Sequence, residues 1–251
     1  MLTFIQLSDE IKIRKINKPK NKVSFSGKFS KGINKNNTII RLLNLLEKKK
    51  LIKKKKFEIK VKKNIPQKSG MGGGSMNAAS LLKYFIKRKI LKVSNKKAYE
   101  LAFKIGSDVP LGLEKKNSIL FKNNIIKRLN NKTNLHVLIV KPNINCSTRK
   151  IYNSVNKYSK SLYKKKNKFY FNKMYLSKSG NDLEIVVLKK YPKIKNLKEF
   201  LLTLPQVNFV RMTGSGSAIV AYFNSKKAVY AAARIFRRKY KNYWYIVSKT
   251  I

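Results

Sequence analysis

The chain has almost nothing from which to build a metal site or a catalytic centre based on cysteine or histidine. Its 251 residues include one cysteine, Cys146, and one histidine, His136. A lone cysteine excludes an internal disulfide framework, and the two residues together cannot supply the ligand set that zinc takes. His136 lies within LHVLIV, an apolar run that reads as a buried strand. A Ser-His-Asp triad would have to recruit that packed residue, which argues against one. Acids are scarce too: ten Asp and Glu stand against 60 Lys and Arg. No apolar run approaches the roughly 20 residues needed to cross a bilayer. The opening MLTFIQLSDEIKI carries acids early and no basic leader, unlike a secretory signal. A cytoplasmic protein without a membrane partner is expected.

Hydrophobic residues make up 43% of the chain, enough for a folded core in one large or two modest domains. The formal net charge of +50 invites a nucleic-acid reading. Yet the abundant residues, Lys, Asn, Ile, Tyr and Phe, all use A/T-rich codons, and the lysines run along the whole chain. Genome composition accounts for this without a specific nucleic-acid partner. Weak, salt-sensitive binding follows from the charge alone.

Hydrophobic spacing predicts strands over Phe4–Leu7 and Ile11–Ile16, with Ser8–Glu10 as a turn, and a short strand within Lys20–Lys31. Asn36 and Asn37 precede an amphipathic helix carrying Ile39, Leu42, Leu43 and Leu46. Phe57, Ile59 and Val61 alternate with charge, as in a half-buried strand. A helix ending near Ile90 and one capped by Ser94 follow, the second closing at Gly106. Strands are expected at Ser118–Phe121 and Leu135–Val140, with a domain boundary near Pro142 (1–141 and 142–251). The second half reads as helices at Thr148–Tyr158, Asp182–Lys190 and Leu197–Leu204, strands at Phe209–Met212 and Ala218–Phe223, a helix at Ser225–Arg238 and a strand at Trp244–Val247. The stretch 153–172 is rich in Lys, Asn and Tyr.

The stretch Ile65–Ser80, IPQKSGMGGGSMNAAS, organises the rest. Gly70, Gly72, Gly73 and Gly74 lead into an apolar helix, with Ser75 and Asn77 where an N-cap would sit. Free N–H groups and the positive dipole end at a helix start make an anion site. No Gly-Lys-Ser/Thr closes the loop, so it is not a Walker A sequence, and its glycines lack the dinucleotide-binding spacing. Asp108 is the acid that stands apart. It follows the helix-ending Gly106 and precedes Val109-Pro110, a rigid turn rather than a charged helix face.

The glycine stretch resembles the second motif of the GHMP kinases, the small-molecule kinases named for galactose, homoserine, mevalonate and phosphomevalonate. It is most similar to the branch whose loop reads Gly-Leu-Gly-Gly-Gly-Ser-Ser-Asn-Ala-Ala. IGSDVP resembles that family's Gly-Ala/Ser-Asp-Val-Pro segment, and RMTGSGSAIVAYF its C-terminal glycine motif. Asn36-Asn37-Thr38-Ile39, Gly180-Asn181-Asp182-Leu183-Glu184 and Thr148 are weaker matches. The resemblance spans nearly the whole chain, and three motifs in order carry more weight than any one.

The resemblance implies a two-domain α+β fold. The N-terminal, ATP-binding domain would be like the second domain of ribosomal protein S5, and the C-terminal domain ferredoxin-like. It implies ATP-dependent phosphorylation of a small molecule, the 2-hydroxyl of a cytidine diphosphate-linked methylerythritol, with Mg²⁺ as cofactor. Homoserine- or mevalonate-type acceptors, or a non-catalytic RNA-binding relative, are the alternatives, and the working form would be a monomer or homodimer. By the same resemblance Asp108 is the catalytic base or orienting carboxylate. Pro66, Gly70, Met71, Gly72, Gly73, Gly74, Ser75 and Asn77 would bind ATP, and Ser75 would also meet the metal. Thr148, Thr213, Gly214, Ser215 and Gly216 would lie on the substrate side. Two departures stand out. Met76 replaces a family serine. The family's opening Pro-Ala-Lys-Ile-Asn-Leu and Gly-Tyr-His segments have no counterpart, so the chain is expected to begin after them and to leave a sheet edge exposed.

Overall fold

A computed structural model of the chain describes residues 1–52, 55–130, 133–160 and 172–251. Of the Lys-rich stretch 153–172, residues 161–171 therefore lie outside the described residues. Contacts form two units. The first is Met1–Leu2, Leu7–Pro66 and Gly72–Leu129; the second is Thr3–Gln6, Gln67–Met71 and Asn130–Ile251. Each is described by itself.

In the first unit β1 (Glu10–Ile16) alternates half-buried Ile11 and Ile13 with exposed Glu10, Lys12 and Arg14. β2 (Lys22–Ser26) and α1 (Thr38–Lys48) follow. The Asn37 side chain caps α1 by accepting from the Ile39 and Ile40 N–H groups. β3 (Lys56–Lys62) is the central strand, antiparallel to β1 and parallel to β2. Glu58 on β3 lies opposite Arg14 of β1 and Lys22 of β2, 2.8 and 3.8 Å away, so one scarce acid answers cations on both neighbours.

α2 (Gly73–Lys87) and α3 (Asn95–Ile105, capped by Ser94) complete the layer over this sheet. Phe57, Ile59 and Val61 share a core with Leu42, Leu46, Leu81 and Phe85, and the Phe57 and Phe85 rings lie 4.7 Å apart. Each such side chain contributes about 1.5–3 kcal/mol by leaving water. β4 (Asn117–Leu120) and β5 (Ile126–Leu129) form a separate antiparallel pair. β5 was not foreseen: its four residues, IKRL, are too few to show an extended alternation.

The second unit contains β6 (His136–Lys141), α4 (Thr148–Asn153), α5 (Lys173–Lys178), α6 (Asp182–Lys190), α7 (Pro192–Leu202), β7 (Phe209–Met212), β8 (Ile219–Phe223), α8 (Lys226–Lys239) and β9 (Trp244–Lys249). Its antiparallel sheet has the order β7-β8-β6-β9. With helices between β6 and β7 and between β8 and β9, this is the split β-α-β topology of ferredoxin-like domains. β6 is buried on both faces, which explains its unbroken apolar run. Leu138 and Val140 join the larger core with Val187, Leu197, Val229 and Phe236. Val137 and Ile139 pack on the other side with Ala218 and Val220.

Three further expectations need correction. Phe4–Leu7 is not a strand: Ile5 makes one isolated bridge to Thr250, and the Gln6 N–H is shared between Lys249 O and Ser248 Oγ. α4 stops at Asn153: the Ser154 and Val155 N–H groups turn to the Ile151 and Tyr152 carbonyls, three residues back, rather than continuing the helical ladder. α7 begins five residues earlier than expected, at Pro192, whose fixed φ and missing N–H suit a first helical position.

Candidate active site

In the first unit, β3 runs into Lys63, Asn64, Ile65 and the buried Pro66, and α2 starts at Gly73. Sequence spacing put the N-cap at Ser75 or Asn77. The cap is Gly72 instead, in the left-handed region at φ 67°, where a side chain is costly. No side chain caps the helix and no acid lies in its first turn. The first-turn N–H groups of Gly73, Gly74 and Ser75 and the positive end of the dipole are thus the kind of helix start that favours an anion. A Cβ on Gly72 would meet nothing within 4 Å, so the loop's own crowding does not fill the space beside it. Thr38 ties this start to α1, its hydroxyl donating to Gly74 O at 2.7 Å.

Asn77 is held from below rather than offered to a ligand. It is 6% exposed, and its amide donates to Asp9 Oδ2 at 2.8 Å. Asp9 also accepts from the N–H groups of Asn64 and Ile65, at 2.8 and 2.9 Å, and pairs with Lys63. The Asp9 side chain is fully buried and that of Lys63 nearly so. One carboxylate thus fixes the end of β3, the turn after it and the second turn of α2. Sequence reading placed Asp9 in a plain turn. Its only signal was scarcity, as one of ten acids. Met76, the departure from the family serine, lies against Gly112: a Cβ there would come 2.9 Å from Met76 Sδ.

In the second unit, two motifs that are far apart in sequence are knitted together. Residues 67–71 run beside the TGSGS loop, with Ser217 N–H donating to Lys68 O at 3.3 Å and Ala218 N–H to Ser69 O at 3.2 Å. The Thr213 hydroxyl donates to Gly70 O at 3.0 Å. A Cβ on Gly70 would lie 1.9 Å from Thr213 O, so only glycine fits. Thr148 and Ser215 share a hydroxyl–hydroxyl bond at 2.9 Å. Asn181 donates to Met212 O at 3.1 Å and Gly214 O at 2.8 Å, while its Oδ1 accepts from Leu183 N–H at the start of α6. Thr148, Thr213, Gly214 and Ser215 are therefore brought together, and Gly216 closes the loop against Met212 and Cys146. Met71 is half-buried against the Val137–Val220 cluster, a packing position.

Asp108 follows the Gly106 cap of α3 and precedes a short 3₁₀ turn, Pro110–Leu113. Its surface is open to solvent. The protein around it nonetheless removes enough water to raise its carboxyl above the usual range, a shift opposed by the Met1 ammonium and a Ser107 hydrogen bond. Such a carboxylate is more basic than a free one, which suits a proton acceptor. His136 is half-buried at the start of β6, and Cys146 is fully buried with its thiol pKa raised by burial, an inert state. Among the described residues no three His, Cys, Asp or Glu side chains cluster as a metal cage. An ion carried mainly by phosphates, as Mg²⁺ usually is, needs no such cage.

The model of the GHMP kinases N terminal domain matches residues 37–114, and that of the GHMP kinases C terminal domain matches 171–242. This chain belongs to the GHMP kinases. It is 49% identical over 251 residues to the 4-diphosphocytidyl-2-C-methyl-D-erythritol kinase of Pelagibacter ubique, covering 100% of this chain and 89% of that one. The enzyme of the same name from Anaplasma phagocytophilum is 32% identical over 197 residues, covering 77% of this chain and 66% of that one. The crystal structure of a 4-(cytidine 5'-diphospho)-2C-methyl-D-erythritol kinase has the same fold, with a TM-score of 0.74 at 21% identity, covering 98% of this chain and 87% of that one. The two-domain α+β GHMP fold and an ATP-dependent small-molecule kinase are thereby established. No described helix of this GHMP kinase is long and apolar enough to cross a membrane.

Proposed function

We propose that this GHMP kinase transfers the terminal phosphoryl group of ATP to the 2-hydroxyl of 4-diphosphocytidyl-2-C-methyl-D-erythritol, in the non-mevalonate route to isopentenyl diphosphate. The observation that carries the reading is the 49% identity, over the whole of this chain, with a kinase of that name. The uncapped start of α2 supports it by offering Gly73, Gly74 and Ser75 N–H groups to phosphate. Asp108 takes the proton of the attacking hydroxyl. The new bond joins that oxygen to the γ-phosphorus, the bond from the γ-phosphorus to its bridging oxygen breaks, and ADP leaves. Because the transition state is loose, positioning and charge neutralisation do most of the work. Mg²⁺ would supply charge neutralisation when bound, and the Ser75 hydroxyl is the side chain of the loop that would hold it beside the phosphates.

Thr148, Thr213, Gly214, Ser215 and Gly216 serve the acceptor. Asn77 acts through Asp9 rather than on ATP. Pro66 and Met71 shape the loop by packing. We assign ATP binding chiefly to the first unit; the boundary expected near Pro142 moves to about Asn130, because β6 (His136–Lys141) belongs to the sheet of the second unit.

The test is ADP release with ATP, Mg²⁺ and each of three acceptors: the cytidyl substrate, homoserine and mevalonate. Turnover with the cytidyl substrate alone is the expected result. Turnover with another acceptor reassigns the substrate. No turnover, together with structure-selective RNA binding that survives physiological salt, would replace the kinase reading with the nucleic-acid one.

A further inference from the structure

Asp108 works from a turn, and a turn has no ladder of its own to hold it in place. Arg128, on β5, provides the hold. Its side chain is 12% exposed. Nη1 donates to Leu111 O at 2.7 Å, Ser118 Oγ at 2.8 Å and Glu114 O at 3.3 Å. Nη2 donates to Pro110 O at 2.7 Å and Tyr99 Oη at 3.1 Å. Pro110 and Leu111 open the 3₁₀ turn that follows Asp108-Val109. Carbonyls in so short a helix find few partners within it. A planar guanidinium can satisfy several at once, which the point charge of a lysine cannot.

The charge is balanced locally. Glu114 Oε1 stands 3.8 Å from Arg128 Nε and accepts from the Tyr99 hydroxyl at 2.6 Å. The same turn also touches the helix of the glycine loop, since a Cβ on Gly112 would come 2.7 Å from Ala79 Cβ. Arg128 and α2 therefore both bear on the segment that carries Asp108.

We propose that Arg128 is a positioning residue for phosphoryl transfer: by holding the Pro110 and Leu111 carbonyls, it fixes the Asp108 carboxylate relative to the start of α2. The proposal rests on the reading of Asp108 as the proton acceptor. A purely structural arginine would stabilise the fold to the same extent whatever occupied position 108. A positioning arginine acts through the carboxylate, and its contribution disappears when the carboxylate is gone.

The experiment is a double-mutant cycle of Arg128→Lys with Asp108→Asn, following kcat, the KM for ATP, and the pH dependence of kcat. Arg128→Lys alone is expected to lower kcat roughly 10- to 100-fold, the scale of a small misplacement, with the KM for ATP little changed. In the Asp108→Asn background the same substitution should cost nothing further. Equal losses in both backgrounds, or no loss in either, would overturn the proposal. Unchanged turnover in Asp108→Asn alone would remove Asp108 as base and the proposal with it, an outcome read from that single variant. Tyr99→Phe takes away one partner of the guanidinium and keeps the charge. It repeats the test if Arg128→Lys does not fold: a smaller loss, also absent in Asp108→Asn, supports the proposal, and an additive one overturns it.

Discussion

The two glycine-rich loops are anchored by different chemistry. The loop that opens α2 rests on a buried ion pair, Asp9 with Lys63, whose carboxylate also takes two backbone N–H groups and the Asn77 amide. The TGSGS loop rests on neutral groups: Asn181 to two carbonyls, Thr213 to Gly70 O, and Thr148 with Ser215. A buried pair is a poor source of net stability, yet losing one partner strands the other in a site that water does not reach. Neutral anchors fail more gently, at about 1–3 kcal/mol for a buried group left unsatisfied. The loop assigned to ATP phosphates is thus fixed by an all-or-none device, while the loop assigned to the acceptor is held by several independent, smaller contacts.

Breaking the ionic anchor is the harshest way to probe that difference. Lys63→Met should cost about 3–5 kcal/mol in urea unfolding, and the paired Asp9→Asn, Lys63→Met protein should regain much of it. Equal losses in the single and paired variants would show that charge is not what matters there. On the neutral side, Asn181→Ala should cost about 1–3 kcal/mol and raise the KM for the acceptor more than that for ATP. A larger rise in the KM for ATP would reverse the assignment of the two loops. Ser215→Ala, which removes one hydroxyl contact, should cost only about 0.5–1.5 kcal/mol, measured in the same unfolding series.

A pH profile sharpens the account of the chemistry. Loss of water to the protein around it favours the neutral form of the Asp108 carboxyl even though its surface is exposed, so its proton leaves at a higher pH than from a free carboxyl. The basic carboxylate is present above that pKa and lost below it. The acid limb of kcat should therefore lie above the ordinary Asp value of about 3.9, and kcat should fall as pH drops through it. A limb at or below the ordinary value would contradict the inferred environment.

The parts of this molecule that could be read from sequence are those written locally. Phe57, Ile59 and Val61 announce β3 by alternation, Ser94 and Gly106 bracket α3, and Asp182–Lys190 and Phe209–Met212 fall where spacing put them. The anchors were invisible because they join distant positions. Asp9 reaches Asn77 across 68 residues, and Arg128 reaches Tyr99 across 29. Nothing around Asp9 marks it as a buried hub, and nothing in IKRL marks Arg128 as the clamp of a turn. Asn77 shows how a motif can mislead. It stands in the glycine stretch, but its amide faces the protein, while Gly72 takes the cap that a polar residue was expected to fill.

The most direct test of the central claim is turnover of Asp108→Asn with ATP, Mg²⁺ and the cytidyl substrate, beside the unaltered chain. The account predicts a fall in kcat of at least about 100-fold, the lower end of an acid–base contribution, with the KM for ATP nearly unchanged. Turnover equal to that of the unaltered chain would contradict it and remove Asp108 from the chemistry.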